Sequence, residues 1–472
     1  MKKDTNFFLL FILLLLIVIL IDSSASLVEA RKDNKKHQKQ KKRSGNNQTA
    51  AGPVHSPVPS HAPSPCYGPY PTHSTIFDIL SFGAKGDGVS DDSKAFEAAW
   101  KAACRVTGAT VEIPSEFRFL VRPLTLQGPC KPHLVLQIDG TLLAPPKVGA
   151  WPKSSLFQWI NFKWIHNFTI QGTGTVDGQG SAWWNPSGIN YVQKLSKHIP
   201  DLKPTALRFY GSYNVIVRDI TIINSPGCHL KFDGTGGVKV DNITISSPGD
   251  SPNTDGIHLQ NVHDVEIKHS NIGCGDDCVS IQTGSTNVHV HHVNCGPGHG
   301  ISLGGLGKDK TVACVSGITI ENINVQNALS GVRIKTWQGG MGSVKNVSFS
   351  NIQVVDVEIP IMIDQYYCDK MKSCKNQTEA VAITGVKYNQ ITGTYSVQPI
   401  HLACSNNVPC IDVDLIDIQL QPSPGSTGFQ QGLCWNSYGK SQAPLVPSTI
   451  DYCLRRGGSW AKQPARSNDH SC

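Results

Sequence analysis

The most regular feature of the chain is an alternation of β-branched and polar residues that recurs between residues 214 and 354. Six segments carry it, beginning 23 to 30 residues apart, at Asn214, Gly237, Asp264, Asn287, Gly317 and Asn346. The second position of every segment is Val or Ile, which suits a core, and the sixth is Asp, Asn or His, which suits a turn. Short strands at a repeat of roughly 20–30 residues predict an all-β solenoid, a right-handed parallel β-helix.

Two other architectures fit this pattern less well. A leucine-rich repeat has a similar period but needs a leucine register that the chain lacks. A β-sandwich needs hairpins, and Asn-Gly or Asp-Gly turns at hairpin spacing are scarce. Ahead of the repeats, Phe77 to Phe82 is predicted as a short strand, and Asp91 or Asp92 as the N-cap of a helix through Ala103. This short N-terminal helix is expected to cap one end of the solenoid.

Three regions follow from composition. Residues 1–30 are predicted to be a signal peptide, because Lys2 and Lys3 precede an apolar run from Phe7 to Ile21 that is short for a bilayer span; an uncleaved anchor is the alternative. Residues 31–75 are predicted to be a disordered extension, first basic and then rich in Pro, Ser and His. Residues 76–472 are predicted to form the β-helix domain, with no membrane contact after the signal is removed.

The formal net charge of +7 comes from the extension, since residues 31–45 hold eight Lys and Arg against Asp33. This block is interpreted as an adhesive segment for a polyanion, as a removable pro-segment, or as a solvated tail. Export excludes nucleic acid as a natural partner and leaves acidic polysaccharide.

The 15 cysteines all follow residue 65, so an exported protein is expected to form disulfides and to leave at least one thiol over. The close pairs Cys278 with Cys295, Cys368 with Cys374, and Cys404 with Cys410 are candidate bridges, and zinc-site spacings are absent. Five glycosylation triplets stand at Asn47, Asn167, Asn242, Asn346 and Asn376.

Charged and titratable residues recur at one position in the second half of successive repeats. Asp255, Asp277 and His299 lie 22 residues apart and each precedes an alternating strand, so they are expected to stack about 4.8 Å apart along the solenoid. The same alternation turns Arg333 and Lys335 outward on the next coil. Asp276 belongs to the turn and is expected to point differently.

Such aspartates have a structural interpretation, since Asp in a Gly-rich turn often bonds its own backbone. Stacked like charges, however, cost stability unless they serve a function. Paired carboxylates split glycosidic bonds, one protonating the leaving oxygen and another activating water. Nearby cations suit an anionic sugar.

Four motifs in order resemble glycoside hydrolase family 28, the plant and fungal polygalacturonases. They are Asn253-Thr254-Asp255, Gly275-Asp276-Asp277, Gly298-His299-Gly300 and Arg333-Ile334-Lys335, within a match over roughly residues 75–455. The resemblance implies a pectin-lyase-like solenoid and a secreted, extracellular enzyme of the cell wall that hydrolyses α-1,4-galacturonan in pectin with inversion, without metal or cofactor, as a monomer.

The resemblance also implies residue roles. Asp276 is the expected general acid, Asp255 and Asp277 the pair that activates water, and His299 the residue that orients the acid and the substrate. Substrate binding is expected at Asn253, Arg333, Lys335 and Tyr367, with Tyr366 as the fallback for the tyrosine. The Cys278–Cys295 bridge of the family is also available here.

Three competing functions remain: a calcium-dependent pectate lyase, a rhamnogalacturonan hydrolase, and a pectin-binding wall protein without catalysis. The intact aspartates argue against the last, and the cation pair argues for galacturonate. Endo or exo action stays open, because loops at the groove ends decide it.

Overall fold

The computed structural model describes residues 75–151, 158–184, 203–368, 377, 379–426, 428–455 and 472. The predicted signal peptide, and all but the last residue of the predicted extension, lie outside the described residues. No helix among the described residues is long and apolar enough to cross a bilayer.

The described strands form two sheets in which every strand pairing is parallel. The eleven-stranded sheet contains Leu124–Gln127, Gln158–Lys163, Thr205–Tyr210, Leu230–Asp233, Ile257–Gln260, Val279–Ile281, Ile301–Leu306, Ser330–Trp337, Ile359–Tyr367, Ile400–Ala403 and Leu433–Trp435. The twenty-stranded sheet contains Ile76–Asp78, Asp87–Asp91, Thr110–Ile113, Arg118–Leu120, Leu134–Ile138, Thr141–Leu143, His166–Gln171, Thr175–Asp177, Tyr213–Arg218, Thr221–Ile223, Gly236–Asp241, Thr244–Ser246, His263–Lys268, Asn271–Gly273, Ser285–Cys295, Val312–Gln326, Met341–Val357, Ala382–Tyr395, Cys410–Pro422 and Ser437–Val446. Because the chain visits the two sheets in turn and pairs coil with coil, the predicted parallel β-helix is confirmed.

The predicted repeat register is confirmed position by position. Val215, Val238, Val265, Val288, Ile318 and Val347 are paired in that order across six coils. All six side chains are buried. A β-branched residue at this position therefore stacks on its equivalent in the next coil and forms one continuous column of the core.

The polar sixth positions have the backbone conformation expected of a turn, although His292, Asn322 and Asn351 lie inside continuous strands. Asp219, Asn242, His269, His292, Asn322 and Asn351 have φ between 48° and 63°, in the left-handed region. Asn and Asp tolerate this region best, and His is also enriched there. Side chains along this column bond to their neighbours, as when Asn242 Nδ2 donates to Asp219 Oδ1 at 2.8 Å.

The N-terminal end is closed by the helix Ser93–Ala103, which the sequence predicted. Its buried Trp100 contacts Phe162 and Phe168 of the first coils. Asp92 occupies the N-cap without a side-chain capping bond, while Asp91 Oδ1 accepts the Ser93 N–H at 3.1 Å. The predicted strand Phe77 to Phe82 is wrong in part: the strand is Ile76–Asp78, and a 3-10 helix, Ile79–Phe82, follows because Asp78 caps the Leu80 N–H. Farther along, the described residues include the short α-helix Ser181–Trp184 and three 3-10 helices, Val148–Ala150, Lys308–Lys310 and Ser448–Cys453.

Five disulfides join described cysteines. The predicted pairs Cys278–Cys295 and Cys404–Cys410 are among them, with Cys104–Cys130, Cys314–Cys472 and Cys434–Cys453. Cys368 is also disulfide-bonded, and its predicted partner Cys374 lies outside the described residues. Within the described part of the chain, Cys228 and Cys274 are free thiols.

Candidate active site

Asp255, Asp277 and His299 each stand two residues before a strand of the eleven-stranded sheet. The register pairs Ile257 with Val279 and Val279 with Ile301, so the three polar residues occupy one position on successive coils. Adjacent parallel strands lie about 4.8 Å apart, which brings these side chains into one column. Cys228 holds the same position one coil earlier, because Leu230 pairs with Ile257.

Asp277 is the most enclosed carboxylate of the group, with a side chain only 2% exposed. Arg333 Nη2 lies 2.6 Å from its Oδ1 and Lys335 Nζ lies 3.0 Å from its Oδ2. Ser302 Oγ also donates to Oδ1 at 2.7 Å. Burial raises the pKa of Asp277, but Lys335, Arg333 and Ser302 together outweigh it and hold that pKa at about 2. Asp277 is therefore a permanent anion inside a ring of donors.

Asp255 lies in a different environment. Its Oδ2 is 3.0 Å from His258 Nδ1, three residues along the strand. Burial raises the pKa of Asp255, and the negative charge of Asp276 adds to this, while the hydrogen bond from His258 opposes it. Asp255 thus differs from Asp277, because a histidine contacts it where Arg333 and Lys335 contact Asp277.

His229 fixes the backbone behind Asp255. Its Nδ1 lies 2.9 Å from the Asp255 carbonyl oxygen and its Nε2 lies 2.7 Å from Ser247 Oγ. Burial lowers the pKa of His229 to about 4, so the ring is neutral and donates one hydrogen bond while accepting the other. His229 therefore has a structural role, because it holds the backbone of Asp255 in place.

Asp276 lies in the turn before Asp277 and has its own partners. His299 Nδ1 is 2.9 Å from Asp276 Oδ1, and Asn253 Nδ2 donates to Oδ2 at 3.3 Å. The Asp277 N–H donates to Oδ1 at 2.9 Å, which fixes the carboxyl group on the turn. Gly275 is required just before it, because a Cβ there would collide with the Ser251 carbonyl oxygen. The structure thus brings Asn253, Asp276 and His299 together.

The two candidate tyrosines face different ways. Lys335 Nζ lies 5.4 Å from the centre of the Tyr367 ring, and Trp337 meets that ring edge-on at 5.4 Å. Tyr366 instead donates its hydroxyl to the Cys404 carbonyl oxygen at 3.3 Å. Tyr367 therefore adjoins the Asp277–Lys335 pair, and Tyr366 does not.

A metal ion is the alternative use of such an acidic group. Among the described residues, Asp276, Asp277 and His299 are the group whose ligand atoms all lie within 4.8 Å of one another. However, both Asp277 oxygens already bind cationic side chains. A metal ion would have to displace or oppose two fixed positive charges, so the donor set does not suit one.

Two residues of this site, His258 and Ser302, were not assigned from the sequence. His258 follows Asp255 by three residues, and Ser302 follows His299 by three, so both stand on the outward column that also holds Arg333. The signal that identifies them is this shared register. Cys274, which precedes the acidic turn, is buried and donates its thiol to the Asp276 carbonyl oxygen at 3.2 Å; burial raises its pKa, so it is neutral.

The chain is similar to known proteins in sequence and in fold. A family model described as glycosyl hydrolases family 28 matches residues 104–434. A protein of Arabidopsis thaliana named probable polygalacturonase is 39% identical over 389 residues, covering 82% of this chain and 86% of that protein. Polygalacturonase-2 of Solanum lycopersicum is 38% identical over 375 residues, covering 79% of this chain and 80% of that protein. The solved polygalacturonase of Erwinia carotovora has a TM-score of 0.63 at 23% identity, covering 79% of this chain and 98% of that one, and this likeness concerns the fold.

Proposed function

This chain belongs to glycosyl hydrolases family 28, and we propose that it is a secreted polygalacturonase that hydrolyses α-1,4-galacturonosyl linkages in pectin with inversion. One observation carries the proposal. A carboxylate held ionised by two cations, Asp277, stands beside two carboxyl groups with separate hydrogen-bonding partners, Asp255 and Asp276. Inverting hydrolysis needs such a division, since one group must give a proton while another takes one from water.

Asp276 is the proposed general acid. It lies on the turn, outside the Arg333–Lys335 clamp, and contacts a histidine rather than a fixed cation. His299 Nδ1–H can donate to the Asp276 carboxylate, which orients the carboxyl group and stabilises its anion after the proton has left. Asn253 holds the other oxygen and is placed to contact the sugar.

Asp255 and Asp277 are the proposed pair that holds the attacking water. Asp277 stays ionised because of Arg333 and Lys335, so it accepts a hydrogen bond from water at any working pH. Asp255 has the raised pKa and can therefore take up the proton that the water loses. An inverting site leaves about 6.5–9.5 Å between acid and base for this water.

The same cations are proposed to recognise the uronate. Asp277 neutralises one of the two charges of Arg333 and Lys335, and the remaining positive charge is available to a galacturonate carboxylate. Tyr367, on the far side of Lys335, is the proposed sugar-stacking residue. Farther along the same outward column, Lys231 extends the positive face toward neighbouring sugars.

We further propose that the protein acts outside the cell, in the wall, as a monomer on homogalacturonan. Export suits its disulfides, and the triplet asparagines Asn167, Asn242 and Asn346 are exposed. The triplets at Asn47 and Asn376 lie outside the described residues.

The decisive experiment is hydrolysis of polygalacturonate by the purified protein, with the configuration of the first product read by proton NMR. We expect reducing ends of inverted configuration, without unsaturated sugars, in the presence of EDTA. Asp276→Asn should lower kcat by about 10²–10⁴-fold, because a positioned general acid contributes about that much.

Two outcomes would contradict the proposal. Unsaturated products or a calcium requirement would identify a lyase, and retained configuration would exclude the water-activating role of Asp255 and Asp277. If Asp276→Asn turns over substrate nearly as fast as the unaltered protein, Asp276 is not the general acid, and the rest of the proposal stands.

A further inference from the structure

A cluster of four histidines lies on the twenty-stranded sheet, away from the strands that carry the acidic group. His289, His291 and His292 all lie in the strand Ser285–Cys295, and the backbone of His292 is left-handed there, with φ 53°. His269 occupies the equivalent turn one coil earlier. None of these residues has a part in the proposed hydrolysis, and their grouping across two coils calls for its own explanation.

Three of the rings surround one point. The ring centroids of His269, His291 and His292 form a triangle with sides of 5.1, 5.4 and 6.0 Å. Zinc–imidazole bonds of about 2.0–2.1 Å in tetrahedral geometry put ligand nitrogens about 3.3 Å apart and ring centroids about 5 Å apart. His291 Nδ1 and His292 Nδ1 already lie 2.8 Å from each other. The triangle therefore has the size of a three-histidine metal site.

Two of the three rings, those of His269 and His291, have a nitrogen close to a carboxylate, and so does the neighbouring His289. His269 Nδ1 lies 3.0 Å from Asp241 Oδ1, His291 Nε2 lies 3.5 Å from Glu266 Oε1, and the neighbouring His289 Nε2 lies 2.9 Å from Glu321 Oε1. Histidines that bind metals usually donate their second ring N–H to such a group, which fixes the tautomer and makes the free nitrogen a better ligand.

The charge of the surroundings also suits a cation. The carboxylates of Asp241, Glu266 and Glu321 contact the histidines, and Lys268 pairs with Glu266 at 3.3 Å. Arg218 and Lys239 hold the register positions beside Asp241 and Glu266. A divalent cation would be attracted to the three carboxylates that contact the rings.

We propose that His269, His291 and His292 bind one divalent transition-metal ion of the zinc class at this surface. His269 is the ligand that must move, since its nitrogens are not yet within 4.8 Å of both others. Its side chain is 56% exposed, so its ring is free to turn toward the other two. The bound ion would link two adjacent coils on the twenty-stranded sheet.

The test uses the full-length protein freed of metal with EDTA and titrated with ZnCl₂ by calorimetry, with Co²⁺ absorption reporting tetrahedral coordination. His269→Asn and His292→Asn are the informative variants, because Asn occupies the same left-handed turn at Asn242, Asn322 and Asn351 and the fold accepts it. Each should weaken zinc binding by about tenfold or more. Asp241→Asn, which removes an outer carboxylate, should weaken it by about 10–100-fold.

His133→Asn is the matched control, since His133 is also exposed and left-handed, with φ 64°, but lies outside the cluster. It should bind zinc as the unaltered protein does. The proposal is overturned if the unaltered protein binds no zinc, or if His269→Asn and His292→Asn keep its affinity. Hydrolysis by all of these variants should be unchanged, so the result is independent of the proposed function.

Discussion

Asp276 and Asp277 are neighbours in sequence and both are proposed to act in hydrolysis, but only Asp277 pairs with buried cations. Asp277 neutralises Arg333 and Lys335, whose side chains are only 8% and 10% exposed. Asp277→Asn leaves two buried cations without a carboxylate, and breaking a buried ion pair from one side costs about 3–5 kcal/mol. We expect the free energy of unfolding, measured in denaturant, to fall by an amount of this order.

Asp276→Asn is the internal comparison for that measurement. Asp276 faces His299 and Asn253 rather than a buried cation, so its replacement should lower kcat by about 10²–10⁴-fold with little change in stability. Equal stability losses in the two variants would mean that Asp277 is not the residue that holds the cation pair.

The pKa of Asp255 depends on its hydrogen bond with His258, and this contact should therefore affect the pH dependence of activity. Burial raises the pKa of Asp255, and the hydrogen bond from His258 works against that rise. A base must be ionised, so activity is present above the Asp255 pKa and is lost as the pH falls through it. His258→Leu removes the opposing contact and raises this pKa further, which should move the acid limb of kcat against pH to higher pH.

His263→Leu is the matched control for this shift. His263 also contacts a carboxylate, with 2.9 Å between its Nδ1 and Asp264 Oδ2, but it lies on the other sheet. Its pH profile should follow that of the unaltered protein. An unmoved acid limb in His258→Leu would show that Asp255 does not set it.

In the strands, stability depends on columns of like side chains that stack from coil to coil. Phe162, Phe209 and Phe232 pair in register on the eleven-stranded sheet, with centroids 4.9 and 5.0 Å apart. Phe209→Ala opens a cavity in the middle of this stack, and such a change costs about 3–5 kcal/mol. We expect a matching drop in unfolding free energy, whereas Phe429→Ala, at a ring 70% exposed, should change it little. A small effect at Phe209 would mean that the coils repack around the gap.

This column arrangement explains what the sequence could and could not predict. A β-branched residue such as Val265 recurs at one repeat position in six successive coils, so the register and the core of these coils follow from the pattern. Ile79–Phe82 belongs to no repeat. Its alternating apolar and polar residues predicted a strand, but the segment forms a 3-10 helix that Asp78 caps. In the site, the stacking of Asp255 on Asp277 follows from the period, but the pairing of Asp277 with Arg333 spans 56 residues and depends on side-chain reach. His258 is identified only by its register with Ser302 and Arg333, and Asp255 alone does not indicate it.

The charge of the chain is divided between two regions with different consequences. Residues 31–45 hold eight Lys and Arg, although the chain as a whole has a net charge of only +7. Residues 76–472 are therefore close to neutral, and their positive groups near the cleft are largely paired, as Arg208 is with Asp233 at 2.6 Å. We therefore expect long-range attraction to an acidic polysaccharide to come mainly from the basic segment, and recognition at the bond being cleaved to come from the residues around Asp277.

Deleting residues 31–45 should therefore weaken retention on de-esterified pectin without changing kcat on short oligogalacturonides. The effect should be large at low salt and fade near physiological ionic strength, because the Debye length falls to about 8 Å there. A variant with its Lys and Arg in this segment changed to Gln keeps the length of the chain and should behave like the deletion, which assigns the effect to charge. Retention that is the same with and without the basic segment would assign wall binding to the cleft alone.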